Sequence, residues 1–298
     1  MNMSVSIPSG VLAAVLLCCA AIVHAGDKVE RTVAAEARGE VAIVNIAGEV
    51  FVEGWDRNEV QVSGDLGGDA RLDVTSAGGR TSINVINLRG NHTHSATDLK
   101  VRVPRDSALS VNTVSADQII KDCRGAQRLQ AVSGTIATEQ WEQELEARTI
   151  SGEVSIRGHD GVAQTTVNTV SGSVSLLGGS TQFAVETVTG DMRIGVRETG
   201  RGRIRTTNGE LKFTGKLARD GRLEAEAVNG DLDFTLREPV NAQFDVETFN
   251  GDIVNCFGPK PVKMREYAPG NALRFTQGAG DARVRVKTLN GGVEICRE

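Results

Sequence analysis

The chain has 298 residues and a formal net charge of −5, with 33 Lys and Arg residues against 38 Asp and Glu residues. Because charges of both signs are interleaved without long runs of one sign, the composition argues against a surface that wraps nucleic acid. Aromatic residues make up only 4% of the chain, which is too few for a β-sandwich core built on Trp and Tyr. A chain of this length can bury a large interior as one elongated domain.

The first 25 residues predict a secretory signal peptide. They contain no Lys, Arg, Asp or Glu, and their apolar run from Val11 to Val23 is 13 residues long. This run is short for a membrane-spanning helix, which needs about 20 residues, but it suits the apolar region of a signal. Ala25 offers a small residue for cleavage, so the mature chain would begin at Gly26. We therefore expect export to the periplasm or cell surface, with no transmembrane segment in the mature chain.

Two cysteines in this segment raise the alternative of a lipid-attachment site. Leu17, which precedes Cys18, is bulkier than the small residue that such a site uses, and the residue before Cys19 is itself a cysteine. We therefore prefer a soluble exported protein to a lipoprotein.

Residues 26–39 form a polar lead-in, and residues 40–110 predict strands with irregular spacing. Segments such as Val41–Asn45 and Val60–Val62 alternate apolar and polar residues. Alternation marks a half-buried strand, since successive side chains of a strand face opposite sides. Irregular terminal units are expected in stacked repeats, because an open end presents unpaired strand edges. We therefore expect residues 40–110 to form the N-terminal cap of a stack.

From residue 111 to residue 298 a bend of Ser, Thr or Asn followed by Gly recurs about every twenty residues, a period that predicts stacked repeats. The glycine-to-glycine steps are 18, 20, 18, 19, 21, 21 and then 40 residues. Two short strands flank each bend, where glycine supplies φ > 0 without a Cβ clash. The predicted bend glycines are Gly134, Gly152, Gly172, Gly190, Gly209, Gly230, Gly251 and Gly291.

The residues around each bend favour parallel strands in register. Five residues before each glycine stands an apolar residue, followed by a polar residue and then by a small one that is mostly threonine. Parallel coils about 4.8 Å apart would stack these like residues in ladders. A meander of antiparallel hairpins is the alternative, but hairpins need a comparable turn at both ends of every strand. The sequence thus predicts an all-β fold, a parallel β-solenoid (β-helix) with about 20 residues per coil.

Several motifs resemble the bacterial putative-adhesin family, a domain of unknown function found in β-solenoid envelope proteins. They are the segment Gly54–Val60, the run Leu99–Pro104 and the Val-Ser-Gly-x-Val repeats that follow, so that the resemblance covers residues 40–298. The resemblance implies a right-handed β-helix outside the cytoplasm, with a link to envelope-stress signalling in some members, and it implies no catalytic residues. The chain departs from the pattern at Ala116, where the first full repeat expects glycine, and in the doubled last step.

Three cysteines remain in the mature chain, and two of them predict a disulfide. Cys256 and Cys296 each lie five residues after a bend glycine and so occupy one column. If the last step is one coil carrying a loop, the two are close enough to bond, whereas two coils would separate them by roughly 10 Å. Prolines favour a loop insertion near 258–279, so we predict a Cys256–Cys296 disulfide in an oxidising compartment. Cys123 is left as a buried thiol or an intermolecular link.

Acidic residues that follow the bends carry the one catalytic alternative. Glu210, Asp231 and Asp252 would lie on consecutive coils with carboxylates roughly 5–7 Å apart, which suits a general acid/base pair or Ca²⁺. A turn carboxylate that accepts backbone N–H bonds is the simpler interpretation. We therefore assign no catalytic, cofactor-binding or metal-binding residues, and we keep as the alternative a carbohydrate-active β-helix enzyme that acts near Asp231 and Asp252.

The histidines raise the alternative of a metal site. His92 and His94, with Asp98 nearby, could present two imidazoles on one face of a strand to a transition metal. The surrounding segment is polar and contains Gly and Asn, so we interpret it as a loop with solvated histidines. We interpret His159 as a surface residue and Trp141–Glu146 as a helix-leaning insert.

The predicted function is that of an exported, non-enzymatic envelope protein. It would act as an adhesin or scaffold that binds an envelope protein or a glycan through flat sheet faces, and it would not bind nucleic acid. After the last predicted strand, Val293–Ile295, only three residues remain, so the C-terminal end of the stack lacks a capping element. That end is either blunted by the loop at 258–279 or used for self-association through the C-terminal coil.

Overall fold

The computed structural model describes residues 27–68, 70–87, 96–264 and 269–298. The predicted signal peptide, His92 and His94 lie outside these residues. Within them the chain forms only strands, which confirms the all-β prediction, and no helix there is long and apolar enough to cross a membrane. The strands are β1 (Asp27–Ala34), β2 (Glu40–Trp55), β3 (Glu59–Leu66), β4 (Ala70–Ala77), β5 (Arg80–Asn87), β6 (Thr97–Pro104), β7 (Ala108–Lys121), β8 (Gln127–Ser133), β9 (Ile136–Gln140), β10 (Leu145–Ser151), β11 (Val154–Ser171), β12 (Val174–Thr189), β13 (Met192–Asn208), β14 (Leu211–Asn229), β15 (Leu232–Leu236), β16 (Ala242–Asn250), β17 (Ile253–Asn255), β18 (Val262–Lys263), β19 (Asn271–Gln277), β20 (Ala282–Asn290) and β21 (Val293–Arg297).

Parallel pairing in register joins the repeats, as the sequence predicts. Ala147 lies opposite Val167, and Val167 lies opposite Val185, so the apolar column is a ladder. Between β8 and β14 the paired Cα atoms are 18 to 21 residues apart. The inward residues, among them Ile156 and Phe213, form one buried core that runs along the β-solenoid-like stack.

The bend glycines lie in a single file, and their close approach explains why glycine is needed. A Cβ atom built on Gly152 would collide with the carbonyl oxygen of Gly134. The same collision would occur between Gly209 and Gly190, and Gly209 also has a φ of 149°, which L side chains rarely adopt. Ala116 pairs with Gly48 at the beginning of the file.

The last repeat in sequence is not the last in space. β20 lies between β14 and β16 and pairs in parallel with both, and β21 lies in the same way between β15 and β17. The chain therefore leaves one position of the stack open after Leu236 and fills it with its C-terminal segment. The expectation that the repeats stack in sequence order is wrong at this point.

The charges of the outward-facing side chains give a physical reason why β20 lies between β14 and β16. The strands β14 and β16 both carry acidic residues that would face each other if the strands were adjacent: Glu224 and Glu226 in β14, Asp245 and Glu247 in β16. Like charges directly opposite on neighbouring strands are destabilising. β20 instead places Arg285 and Lys287 between them, with Lys287 Nζ 2.7 Å from Glu247 Oε2.

Of the two alternatives for this end of the stack, the structure favours the one in which the segment 258–279 blunts it, and the C-terminal coil itself is not bare. Both edges of β20 are paired inside the stack, and the outer strand β16 is covered by β19 in antiparallel pairing, with β18 beyond it. The interval 258–279, predicted as a loop, therefore contains two strands. Self-association through the C-terminal coil loses its structural basis, because that coil has no free edge.

The N-terminal end has a comparable arrangement. β2 pairs in parallel with β7 on one side and with β5 and β6 on the other. β4 covers β5 and β3 covers β6, both in antiparallel pairing, and β1 lies outside β3. β2 thus continues the parallel stack, and the antiparallel strands form its end.

Candidate functional site

A shallow groove follows the corner of the stack just before the bends. Two cavities of about 390 and 440 Å³ share Asn168 and Thr169, so they form one continuous groove. This corner groove crosses the parallel segments of β7, β8, β10, β11, β12, β13 and β14. Six spacings of about 4.8 Å give it a length of about 29 Å.

Three columns of the repeat line the corner groove. The polar wall is formed by Asn112, Gln130, Arg148, Asn168, Glu186, Arg205 and Glu226. The floor is formed by Thr113, Ala131, Thr149, Thr169, Thr187, Thr206 and Ala227. The opposite wall is the column two residues before each bend glycine, or before Ala116 in the first repeat. It is an aliphatic row of Val114, Val132, Ile150, Val170, Val188 and Val228, with Thr207 between the last two.

The side chains of the aliphatic row are 39% to 53% exposed. Strand propensity does not by itself require them, because the same column carries Thr207, which is β-branched and polar. The row continues beyond the groove through Leu289 and Phe249, which are also exposed. An exposed apolar row of this kind, broken at Thr207, indicates an interaction surface.

The floor of the corner groove offers no hydroxyl groups to a ligand along most of its length. The Oγ1 atoms of Thr149, Thr169, Thr187 and Thr206 are buried and have no hydrogen-bond partner among the described residues. Each threonine is about 5% exposed, and its hydroxyl does not contribute to that exposure. The floor is therefore apolar, and polar recognition falls to the polar wall.

Several side chains of the polar wall are free to donate hydrogen bonds. The side-chain amides of Asn112, Gln130 and Asn168 make no hydrogen bond within the described parts of the chain. Arg205 is engaged by the flanking acids, with Nη1 3.6 Å from Glu186 Oε1 and Nε 3.2 Å from Glu226 Oε2. The groove thus combines unpaired amides on one side with exposed aliphatic carbons on the other.

The carboxylates that follow the bends hold backbone N–H groups of the next repeat. Asp117 Oδ1 accepts from Thr135 N at 2.7 Å, and Asp231 Oδ1 accepts from Gly292 N at 2.7 Å. Because Gly292 occupies the intervening position, Asp231 and Asp252 lie two spacings apart, about 10 Å. Asp231 and Asp252 are therefore not neighbours, as the enzyme alternative expected, whereas Glu210 does lie on the position next to Asp231.

The skipped position also brings two cysteines together. Cys256 and Cys296 are joined as a disulfide with their Cα atoms 4.8 Å apart, although a two-coil step would have separated them. They meet because the Cys296 repeat lies directly beside the Cys256 repeat in space. Whether the isolated protein is oxidised stays a prediction. Cys123 is buried, and burial is the main cause that raises the pKa of its thiol to about 12, with the charges of Asp122 and Glu139 adding to it.

A further cavity of about 900 Å³ lies among segments that link one repeat to the next, and Trp141 is in its wall. The Trp141 and His159 rings stack with centroids 3.8 Å apart, and the Arg124 guanidinium lies 4.8 Å from the Trp141 centroid. His159 Nε2 is 3.6 Å from Glu139 Oε2. His159 is therefore half-buried, not a plain surface residue, and the segment after Trp141 is a bend, not a helix. The His159 ring and the Arg124 guanidinium already pack on the Trp141 indole, so this indole is not open for stacking on a ligand.

The columns that line the corner groove are present in the sequence, but the sequence alone does not show that they form a groove. The polar and threonine columns are visible as positions of the repeat, whereas the residue two before each glycine attracts no attention, because an isolated exposed Val is ordinary. Only the stacking brings these six separate residues into one row. The predicted histidine pair at His92 and His94 lies outside the described residues, while Asp98 Oδ1 accepts a hydrogen bond from Glu49 N at 3.0 Å.

Comparison with known proteins identifies a family whose model matches most of this chain. The model of the family described as Toastrack DUF4097 matches residues 49–296, which confirms the resemblance inferred from the motifs. A solved structure of a putative adhesin from Bacteroides fragilis is 9% identical with a TM-score of 0.45, over 90% of this chain and 96% of that chain. A putative lipid binding protein from Parabacteroides distasonis is 12% identical with a TM-score of 0.47, over 91% and 97%. A putative adhesin from Parabacteroides merdae is 12% identical with a TM-score of 0.42, over 90% and 96%. None of the curated proteins matches the chain.

Proposed function

Because the chain belongs to the Toastrack DUF4097 family, a bacterial domain of unknown function, we propose that it is a non-enzymatic adhesin or scaffold of the cell envelope whose corner groove binds an extended polypeptide segment of a partner protein. The observation that carries this proposal is the aliphatic row, which stays half exposed beside unpaired amides. Burying the exposed half of one such side chain contributes about 1 kcal/mol. Six of them supply about 6 kcal/mol of apolar contact free energy, to which hydrogen bonds from the polar wall would add.

The spacing of the groove suits one backbone conformation in particular. A polyproline II segment repeats every three residues, with a rise of about 3.1 Å per residue and therefore about 9.3 Å per turn. Two spacings of the stack amount to about 9.6 Å. Every third side chain of such a segment would meet the aliphatic row at every second repeat, and the mismatch over the whole groove stays near 1 Å.

The polar wall supports the same conformation. A polyproline II backbone makes no internal hydrogen bonds, so its carbonyl groups are free to accept. The amides of Asn112, Gln130 and Asn168 stand along the groove as unpaired donors. Recognition would then combine apolar contacts on one wall with donated hydrogen bonds on the other, which is how peptide grooves obtain both affinity and orientation.

The proposal places the protein outside the cytoplasm as a right-handed stack with about 20 residues per coil. Export rests on the apolar segment from Val11 to Val23 and the cleavage position at Ala25, and a link to envelope-stress signalling follows from the family resemblance. N-terminal sequencing of protein recovered from the periplasm or culture medium should begin at Gly26. Recovery of the full-length chain in the cytoplasm alone would contradict export, but it would not bear on the proposal that the groove binds a peptide.

The groove is tested with a variant that keeps β-branching but removes the apolar surface. Val132, Ile150, Val170 and Val188 are replaced together by Thr, the residue that the same column already carries at position 207. The probe is a labelled proline-rich peptide with an aliphatic residue at every third position, and its binding is measured by fluorescence anisotropy. We expect the variant to lose binding by on the order of tenfold or more.

Two controls make the result decisive. A matched variant replaces four exposed apolar residues outside the groove by Thr, namely Ile86, Leu177, Val254 and Val262, and it should bind like the wild type. A peptide of the same composition with the aliphatic residues out of phase should bind weakly. Equal binding by the groove variant and the wild type, or by both peptides, would reject the groove as the binding site.

A further inference from the structure

Three arginines stand opposite one another on adjacent strands near the far end of the sheet from the bends. Arg201 in β13 lies opposite Arg222 in β14, which lies opposite Arg283 in β20. All three side chains are exposed. We call this column the arginine strip. Like charges in register on neighbouring strands repel each other, so the column is not one that folding favours.

At the next outward position of the same strands towards the bends, acidic and basic side chains pair with each other, whereas the arginine strip has no acidic partner among the described residues. Arg203 Nη2 lies 3.5 Å from Glu224 Oε2, and Arg205 is paired with Glu226. Within the described residues no carboxylate oxygen lies within 4.0 Å of the arginine strip. Asp220 and Asp281, which stand two residues before Arg222 and Arg283, form no ion pair with them. The strip therefore presents three uncompensated cations in a protein whose net charge is −5.

The residues that continue this column are amides. Gln164 and Gln182 precede Arg201 in the stack, and Gln243 follows Arg283. The column thus contains Gln and Arg side chains along six successive positions and no acid. An anionic chain laid along the stack would meet three cations in the middle and polar, uncharged groups on either side.

We propose that the arginine strip binds an acidic polysaccharide, a glycan that carries a carboxylate on successive sugars. A guanidinium group holds a carboxylate through two parallel hydrogen bonds, a geometry that an ammonium group cannot reproduce. The three guanidinium groups follow one another at the strand spacing of about 4.8 Å. A linear glycan whose carboxylates recur near this spacing would pair with all three and remove the repulsion between them.

The surroundings of the strip favour a glycan over other polyanions. The large apolar side chains that are exposed in the described parts of the chain lie in other columns, so the strip has nothing to insert into a bilayer. No aromatic ring stands in the column to stack on nucleic-acid bases, which single-stranded nucleic acid requires for tight binding. The strip also lies four residues along the strand from the polar wall of the corner groove, or about 13 Å, and is therefore distinct from that groove.

The test measures binding of labelled oligogalacturonate, a linear polymer with one carboxylate per sugar, by fluorescence anisotropy. The test variant is Arg201→Gln, Arg222→Gln and Arg283→Gln together, since the column already carries Gln at flanking positions of the same stack. The matched control is Arg157→Gln, Arg193→Gln and Lys212→Gln, which removes three exposed cations from other strand segments with the same change in net charge. We expect the test variant to lose binding on the order of tenfold or more and the control to stay within about twofold of the wild type.

Two further measurements separate guanidinium recognition from charge alone. Replacing the three arginines by Lys should give an intermediate affinity, because the charge stays and the bidentate geometry is lost. A neutral oligosaccharide of equal length should not bind, and added salt should weaken the acidic one. Equal loss in the control variant, full binding by the Gln variant, or tighter binding of a single-stranded oligonucleotide or of anionic vesicles would each overturn the proposal. None of these results depends on the corner groove.

Discussion

The side-chain amide of Asn290 donates to Asn229 Oδ1 at 2.8 Å, although 61 residues separate the two in sequence. Asn229 Nδ2 donates in turn to Asn208 Oδ1 at 2.7 Å, and Asn250 Nδ2 donates to Asn290 Oδ1 at 2.9 Å. This ladder gives the order of the last four repeats in space, with the C-terminal repeat third. The same order brings the disulfide together and separates Asp231 from Asp252.

The asparagine ladder predicts unequal effects of two similar substitutions. Asn290→Ala removes two ladder hydrogen bonds, whereas Asn250→Ala removes one, because Asn250 stands at the end of the ladder. At about 1 kcal/mol per net hydrogen bond, we expect losses in the free energy of unfolding of about 2 and about 1 kcal/mol. Urea denaturation monitored by circular dichroism measures both. A larger loss at Asn250 would contradict the spatial order described above.

The charge order of the outer face predicts a salt-dependent loss of stability. Arg285→Glu with Lys287→Glu would place acids on three adjacent strands, so that lost ion pairs and new repulsions add up to about 2–3 kcal/mol. A control with the same change in net charge, Arg157→Glu with Arg193→Glu, should cost less because neither residue has an ion pair with another described residue. High salt should narrow the difference between the two variants. A difference that salt leaves unchanged would mean that packing, not charge, sets the order of the strands.

The close approach of the bend glycines predicts that a methyl group added to one of them is poorly tolerated. Gly209→Ala places a Cβ against the Gly190 carbonyl oxygen and forces an L side chain to a φ of 149°. We expect a loss of about 2–4 kcal/mol in the free energy of unfolding. Gly68→Ala is the control, since a Cβ there meets nothing within 4 Å, and it should be nearly neutral. Similar thermal midpoints for both variants would show that the bends can move apart.

Removing the disulfide should lower stability through the unfolded state. The bond between Cys256 and Cys296 closes a segment with a sequence separation of 40 residues, for which chain entropy predicts about 4 kcal/mol. Cys256→Ser with Cys296→Ser should lose up to that amount. Peptide mapping of oxidised wild-type protein without reductant should find the two cysteines linked and Cys123 free. Two free thiols at 256 and 296 would reject the bond.

The Cys123 thiol predicts an alkaline loss of stability. Its pKa is raised from 9.0 to about 12 in the folded protein, mainly by burial, so the folded state keeps the proton that the unfolded state releases. This contribution is complete below about pH 9 and is lost as pH rises from about 9 to 12. Cys123→Ala should have a shallower fall in the free energy of unfolding over this range. The native thiol should also resist alkylation, and rapid labelling of folded protein would contradict its burial.

The spacing of the motifs alone was enough to predict most of the local structure. The bend glycines, the apolar column through Val167 and the threonine column all stand where the period of the repeat placed them, because parallel strands in register convert a sequence period into a ladder. The same reasoning could not locate the corner groove, whose walls are exposed side chains that mean little one at a time. It also could not find the arginine strip, although each of its arginines stands seven residues before the asparagine of its own bend.

What the sequence determined by itself was therefore the repeating unit, since in/out alternation and the glycine bend are local properties of some twenty residues. What only the tertiary structure decided was the order in which the last units stack. Neighbours along the chain need not be neighbours in space when two acidic strands repel each other and a basic strand can reach the place between them. That choice is a comparison between competing long-range pairings, and no single repeat contains the information to make it.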